Sequence, residues 1–214
     1  MNVVEQYEVS IVTPEATLTG DLTLPPGAPG IVLFAHGSGS SRLSPRNRYV
    51  AGEIAAGGLG TLLFDLLTTA EERRDRVDAQ LRFDIGLLAR RLADATRWLA
   101  QQAWGRDKSV GYFGASTGAA AALVASVERE VAAIVSRGGR PDLAGAALAD
   151  VRAPTLLIVG SDDPVVLDLN RRAQALLGRE SRLEIVAGAT HLFEEPGTLE
   201  EVARLASAWF RRWL

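Results

Sequence analysis

The sequence predicts an α/β protein: one mostly parallel β-sheet with helices on both faces and an antiparallel hairpin at its start. Three observations carry this. The first 25 residues alternate apolar and polar, apolar runs of strand length recur from Ile31 onward, and segments of helical character separate those runs. A length of 214 residues fits one domain, taken here as residues 1–214. No internal repeat, low-complexity tract or linker marks a second.

The elements follow in order. Tyr7, Val9 and Ile11 fall on one face, and Leu22 and Leu24 continue the pattern after a turn near Pro14, which reads as an edge hairpin. Prolines and glycines over 25–30 break the chain, and Ile31-Val32-Leu33-Phe34-Ala35 follows, apolar on both faces as a buried parallel strand requires. Further strands are expected over 61–65, 108–113, 132–136, 155–159 and 182–186. Helices are expected over 45–56, 78–102, 116–127, 167–177 and 199–213. The charge-dense stretch Glu71 to Arg76 reads as a solvated loop and helix start. Leu205, Trp209 and Trp213 recur at i, i+4, i+8, the stripe of a helix docking on a core rather than a stacking platform for ligands.

Composition excludes several classes. Hydrophobic residues make up 47% of the chain and charged residues 23%, a balance that forms a packed core and not a disordered coil. A net charge of −3 offers no footprint for nucleic acid or anionic lipid, so neither is an expected partner. Without cysteine there are no disulfides, thiolate metal sites or thiol nucleophiles, and neither metal nor other cofactor is expected. Only His36 and His191 can supply an imidazole base. The start MNVVEQYEVS has neither a basic nor an apolar leader region, and no apolar run reaches the roughly 18 residues of a membrane span, so the expected location is cytoplasmic.

The chemistry-bearing motif is Gly114-Ala115-Ser116-Thr117-Gly118, a match to G-x-S-x-G lying between an expected strand and an Ala-rich helix. A nucleophilic serine needs such a turn, which lifts the hydroxyl clear of the sheet, with glycines letting neighbouring segments approach. The helix beginning there points free N–H groups and its positive dipole end at the site. The bland alternative is a Gly-rich turn with a capping serine.

A serine hydroxyl also needs a base and an orienting carboxylate. Asp162 and Asp163 follow one later strand, and His191 follows the next, so all three groups reach the carboxyl edge of the sheet. Asp163, three residues after Gly160 and directly before Pro164, is the preferred acid. Asp162 is the alternative, with Asp65 a remoter one. His36-Gly37-Ser38-Gly39-Ser40-Ser41 closes the first parallel strand, and the amides of Ser38 and Thr117 are the expected oxyanion donors. His36 reads as a turn residue bonded to backbone.

On these residues the chain resembles the α/β-hydrolase superfamily and, within it, the dienelactone hydrolase-like branch. The resemblance runs from the strand before HGSGSS to the last helix. It implies a three-layer α/β/α hydrolase fold with an eight-stranded, mostly parallel sheet and a Ser-Asp-His triad matching Ser116, Asp163 and His191. Ser38 and Thr117 match the oxyanion pair. One departure is that dienelactone hydrolases proper use a cysteine nucleophile, so the resemblance speaks for ester-type hydrolysis rather than for dienelactone as substrate. Lids in this superfamily are inserted after the strand that follows the nucleophile helix. Only the 17 residues 137–153 stand there, so no cap domain is expected and the site should be open to small soluble esters.

Arginines also reach this edge: Arg42, Arg46 and Arg48 after the oxyanion loop, and Arg137 and Arg140 past a strand end. Arg42, Arg137 and Arg140 are candidates to bind an anionic group of the substrate, against the alternative that these side chains pair with acids such as Asp142 and Glu194. Acyl transfer, perhydrolysis and peptide cleavage would use the same machinery, and a non-catalytic binding protein would keep the same fold. Nothing in the sequence sets the oligomeric state.

Overall fold

The structure, a computed structural model, describes residues 5–178 and 180–214. The first four residues of the expected 1–214 unit, and position 179, lie outside the described residues.

Strands β1 (Glu5–Val12) and β2 (Thr17–Leu24) form the expected hairpin, with Tyr7 opposite Leu22 and Ile11 opposite Leu18. β2 runs antiparallel to β4 (Gly60–Phe64). β3 (Gly30–Ala35), β5 (Ser109–Ala115), β6 (Ala133–Arg137), β7 (Thr155–Gly160) and β8 (Arg182–Val186) complete an eight-stranded sheet of order β1-β2-β4-β3-β5-β6-β7-β8. From β4 to β8 every neighbouring pair is parallel. All carboxyl ends of that set therefore open on one edge. The order reverses between β3 and β5, the switch point where open sheets leave a crevice for ligands.

Both faces of the sheet are covered. Val32 and Phe34 pack on one side with Val50 and Ile54 of α1 (Pro45–Ala56) and Val202, Trp209 and Phe210 of α6 (Thr198–Trp213). Ile31, Leu33 and Ala35 join the opposite cluster, with Leu88 and Leu92 of α3 (Ile85–Gln101), Ala120, Ala121, Ala122 and Ala125 of α4 (Thr117–Glu128) and Ala173 of α5 (Pro164–Gln174). This alternation is why the strand is apolar at every position. Trp209 is buried while Leu205 and Trp213 pack partly buried against the same cluster, as the i, i+4, i+8 stripe requires.

The structure departs from the single long helix expected over 78–102. Thr69–Asp78 forms a separate helix α2, followed by a 3-10 turn at Leu81–Phe83 and then α3. The charge-dense stretch is thus helical rather than a loop. Its start is a capping box in which Thr68 Oγ1 accepts from the Glu71 amide at 3.2 Å and Glu71 accepts from the Thr68 amide at 2.7 Å. Ala79, at φ 55°, ends it in the left-handed region, and Asp84 caps α3 by accepting from the Leu87 amide at 2.9 Å. Only Asp75 of α2 is buried, so the helix carries no apolar stripe for periodicity to detect. Between β6 and β7 there is a short 3-10 segment, Pro141–Asp150, kinked at Gly145, and no cap domain among the described residues.

Candidate active site

The candidate nucleophile, Ser116, is placed by the turn from β5 into α4. Ser116 has φ 51° and ψ −119°, a conformation that L residues avoid, held by its amide donating to the Arg137 carbonyl at 3.1 Å. The glycines on either side are dictated by contact. A Cβ on Gly114 would run into the backbone of Ala119, and one on Gly118 would collide with the carbonyl oxygens of Ala35 and His36. Nothing larger lets α4 sit this close to β3.

Asp163 stands directly before α5 and His191 in the loop after β8. His191 Nδ1 lies 2.7 Å from Asp163 Oδ2, and His191 Nε2 lies 3.4 Å from Ser116 Oγ. With Nδ1–H donating to the carboxylate, the Nε2 lone pair faces the serine, the tautomer a general base needs. The 3.4 Å separation is long for a hydrogen bond, as is common where no substrate is bound. Asp162 turns elsewhere and accepts from the Ser161 hydroxyl at 2.8 Å. Asp65 accepts from the Arg42 amide at 2.8 Å and is not near the imidazole's partner set.

Among the described residues, neither the Ser38 nor the Thr117 amide donates to a backbone carbonyl, which leaves both free for an oxyanion at the start of α4. His36 anchors the loop that carries Ser38. Its Nε2 accepts from the Leu66 amide at 3.1 Å, so its Nδ1–H donates to the Gly37 carbonyl at 3.0 Å, joining the ends of β3 and β4. Burial, only partly offset by the bond to Gly37, pushes the His36 pKa down and keeps the ring neutral.

The arginines separate sharply. Arg42 is surrounded by carboxylates, at 3.2 Å from Glu8, 3.4 Å from Asp21 and 3.2 Å from Asp65. Arg140 is engaged by Asp142 at 2.7 Å, and Arg48 by Asp21 at 3.0 Å. Arg46 reaches Glu194 at 3.0 Å. Arg137 alone of the three candidate anion-binding arginines has no carboxylate within ion-pair distance among the described residues. It lines a cavity of about 210 Å³ together with Ser116 and His191, whereas Arg42 and Arg140 do not. Sequence reading missed Asn47, buried on α1, whose Oδ1 accepts from Arg137 at 3.4 Å. It also missed Asn170 of α5, whose amide donates to the Gly139 carbonyl at 2.9 Å and pins the loop after β6. Both sit at helix positions where an asparagine is unremarkable without the fold.

The sequence profile of the dienelactone hydrolase family matches residues 18–213. Among solved structures, a dienelactone hydrolase from Anabaena variabilis is 57% identical, with a TM-score of 0.97 over 99% of both chains. An esterase from Pyrococcus furiosus shares the fold at 19% identity and a TM-score of 0.78, over 98% of this chain and 93% of that one. Two Mycobacterium tuberculosis proteins, provisionally named phosphoribosyl transferases, are 60% identical over 205 residues, which is 95% of this chain. The chain spans only 45% of their length. With the fold, the site geometry and these likenesses together, the chain belongs to the dienelactone hydrolase family.

Proposed function

We propose that the chain is a serine hydrolase of small carboxylic esters. The observation that carries this is the line Ser116, His191, Asp163, with separations of 3.4 and 2.7 Å, at a strained strand-to-helix turn. Ser116 Oγ adds to the ester carbonyl carbon while its proton passes to His191 Nε2. Asp163 holds the tautomer and balances the imidazolium, and the Ser38 and Thr117 amides take the oxyanion. Collapse breaks the carbonyl–alkoxy bond, and His191 returns its proton to the departing alcohol. Water then adds in the same way, releasing the acid and restoring Ser116.

On this reading the partner is a small ester, no cofactor takes part, residues 1–214 act as one catalytic domain, and a cytoplasmic setting is part of the same proposal. No described helix is long and apolar enough to cross a membrane. Phosphoribosyl transfer, in the name of the mycobacterial relatives, is not carried over to this chain, which spans 45% of their length and matches the dienelactone hydrolase family. The test is fluorophosphonate labelling alongside p-nitrophenyl acetate turnover in wild type and Ser116→Ala. Labelling and turnover confined to wild type are expected; a wild type that does neither sinks the proposal.

A further inference from the structure

Arg137 is only 7% exposed. A buried guanidinium is costly unless a carboxylate or a full set of acceptors compensates it. Among the described residues Arg137 has neither: its Nε lacks a partner, its guanidinium donates to Asn47 at 3.4 Å, and its Cζ stands 5.9 Å from the Phe193 ring centroid. Burial and the neighbouring Arg46 charge lower its pKa to about 10, which still leaves it cationic at neutral pH. The loop behind it is held rigid, with the Gly138 amide donating to Ile158, the Arg140 amide to Ser116 and Asn170 to Gly139. The residue is therefore held in place at the cavity that Ser116 and His191 also line.

Around the same cavity stand Arg46 and the serines 38, 40 and 44, and among the described residues no aspartate or glutamate lines it. Among the described residues Arg46 also has a buried Nε without a partner, and the carboxylate it meets, Glu194, is 62% exposed and so largely screened by water. Two guanidiniums and several hydroxyls ask for more negative charge and more acceptor oxygens than a planar carboxylate brings. A tetrahedral dianion meets that demand, one edge on an arginine fork and the remaining oxygen on a hydroxyl.

From the uncompensated Arg137 facing Ser116 and His191 in one cavity with Arg46, we infer that the site takes esters carrying a phosphate group, held by Arg137 and Arg46 while the ester bond reacts at Ser116. The inference rests on the serine hydrolase reading, whose substrate class it names. The phosphate is bound and not transferred. A cavity of about 210 Å³ limits the substrate to a small phosphorylated ester.

The test separates binding from turnover by using Ser116→Ala protein, titrated with inorganic phosphate and with acetate at constant ionic strength and followed by calorimetry and melting temperature. Phosphate is expected to bind and raise the melting temperature, acetate to bind at least about tenfold more weakly, and Arg137→Met to weaken phosphate by about tenfold or more. Because the cation is uncompensated, Arg137→Met should not lower the melting temperature of the ligand-free protein. If that variant fails to fold, Arg46→Gln, altered at a partly exposed side chain, must still weaken phosphate. In wild type, phosphate should slow fluorophosphonate labelling, and acetylated glycerol phosphate should be cleaved with a higher kcat/KM than acetylglycerol. Absent phosphate binding, binding indifferent to both arginines, acetate binding as tightly as phosphate, or undiminished labelling at saturating phosphate would each overturn the inference. A wild type that binds phosphate but never labels would instead overturn the hydrolase reading.

Discussion

Replacing Asp163 by asparagine removes one charge and almost no volume, so it isolates what the carboxylate contributes. In the resting site the 2.7 Å contact between Oδ2 and His191 Nδ1 selects the tautomer. In the proposed mechanism His191 becomes a cation during attack, and two unit charges about 4 Å apart interact by about 4 kcal/mol at an effective dielectric constant of about 20. The side chains are 38% exposed for His191 and 15% for Asp163, so water screens part of this. Retaining about 3 kcal/mol corresponds to about two orders of magnitude in rate. An asparagine that donates its amide to Nδ1 also forces the proton onto Nε2, where the base can no longer act, which extends the loss toward about four orders. The assay is kcat for p-nitrophenyl acetate at pH 8, with the rate of fluorophosphonate labelling as a second measure. Asp162→Asn serves as the control, because that carboxylate is bound to the Ser161 hydroxyl, and it should stay within about threefold of wild type. Asp163→Asn retaining more than a tenth of wild-type kcat, or Asp162→Asn proving the more damaging of the two, would refute the reasoning.

Two further outcomes follow from backbone strain and buried charge. Ser116 at φ 51° stores strain that glycine does not feel, so Ser116→Gly should melt higher than Ser116→Ala, by about 2–4 °C for about 1 kcal/mol, while both are inactive; equal melting temperatures would deny the strain. Asp75 is buried, which by itself raises its pKa, yet the Arg82 amide and guanidinium, the latter at 2.6 Å, outweigh burial and hold it below the ordinary value of 3.8. Its folded pKa being lowered, its contribution is complete above about pH 5 and is lost as pH falls through the folded value. Asp75→Asn should therefore cost about 2 kcal/mol in urea melts at pH 7 and much less near pH 2; a difference independent of pH would contradict the shift.

The hairpin strands were legible from their alternation, and the central strands because burial on both faces writes itself as uninterrupted hydrophobicity, as in Ile31 to Ala35. The end of the 78–102 helix was legible and its beginning was not. The break at Ala79 and Asp84 consists of a single left-handed residue and a capping aspartate, and α2 before it buries only Asp75, so no apolar period announced it.

By itself the sequence determined the fold class, the order of Ser116, Asp163 and His191 along the chain, and the lack of cysteine that excludes a thiol nucleophile. These are one-dimensional properties: periodicity, spacing and composition. Only the tertiary structure decided which aspartate faces His191 and which arginine is left without a counter-ion. Asp162 and Asp163 are adjacent, and the direction of each side chain is set by the turn into α5. Arg42, Arg137 and Arg140 look equivalent as letters, yet Arg42 meets Glu8, Asp21 and Asp65, and Arg140 meets Asp142, while Arg137 meets no carboxylate among the described residues. Apart from Arg140 and Asp142, which are two residues apart, this compensation depends on distances between residues far apart in the chain, and those exist only once the sheet has formed.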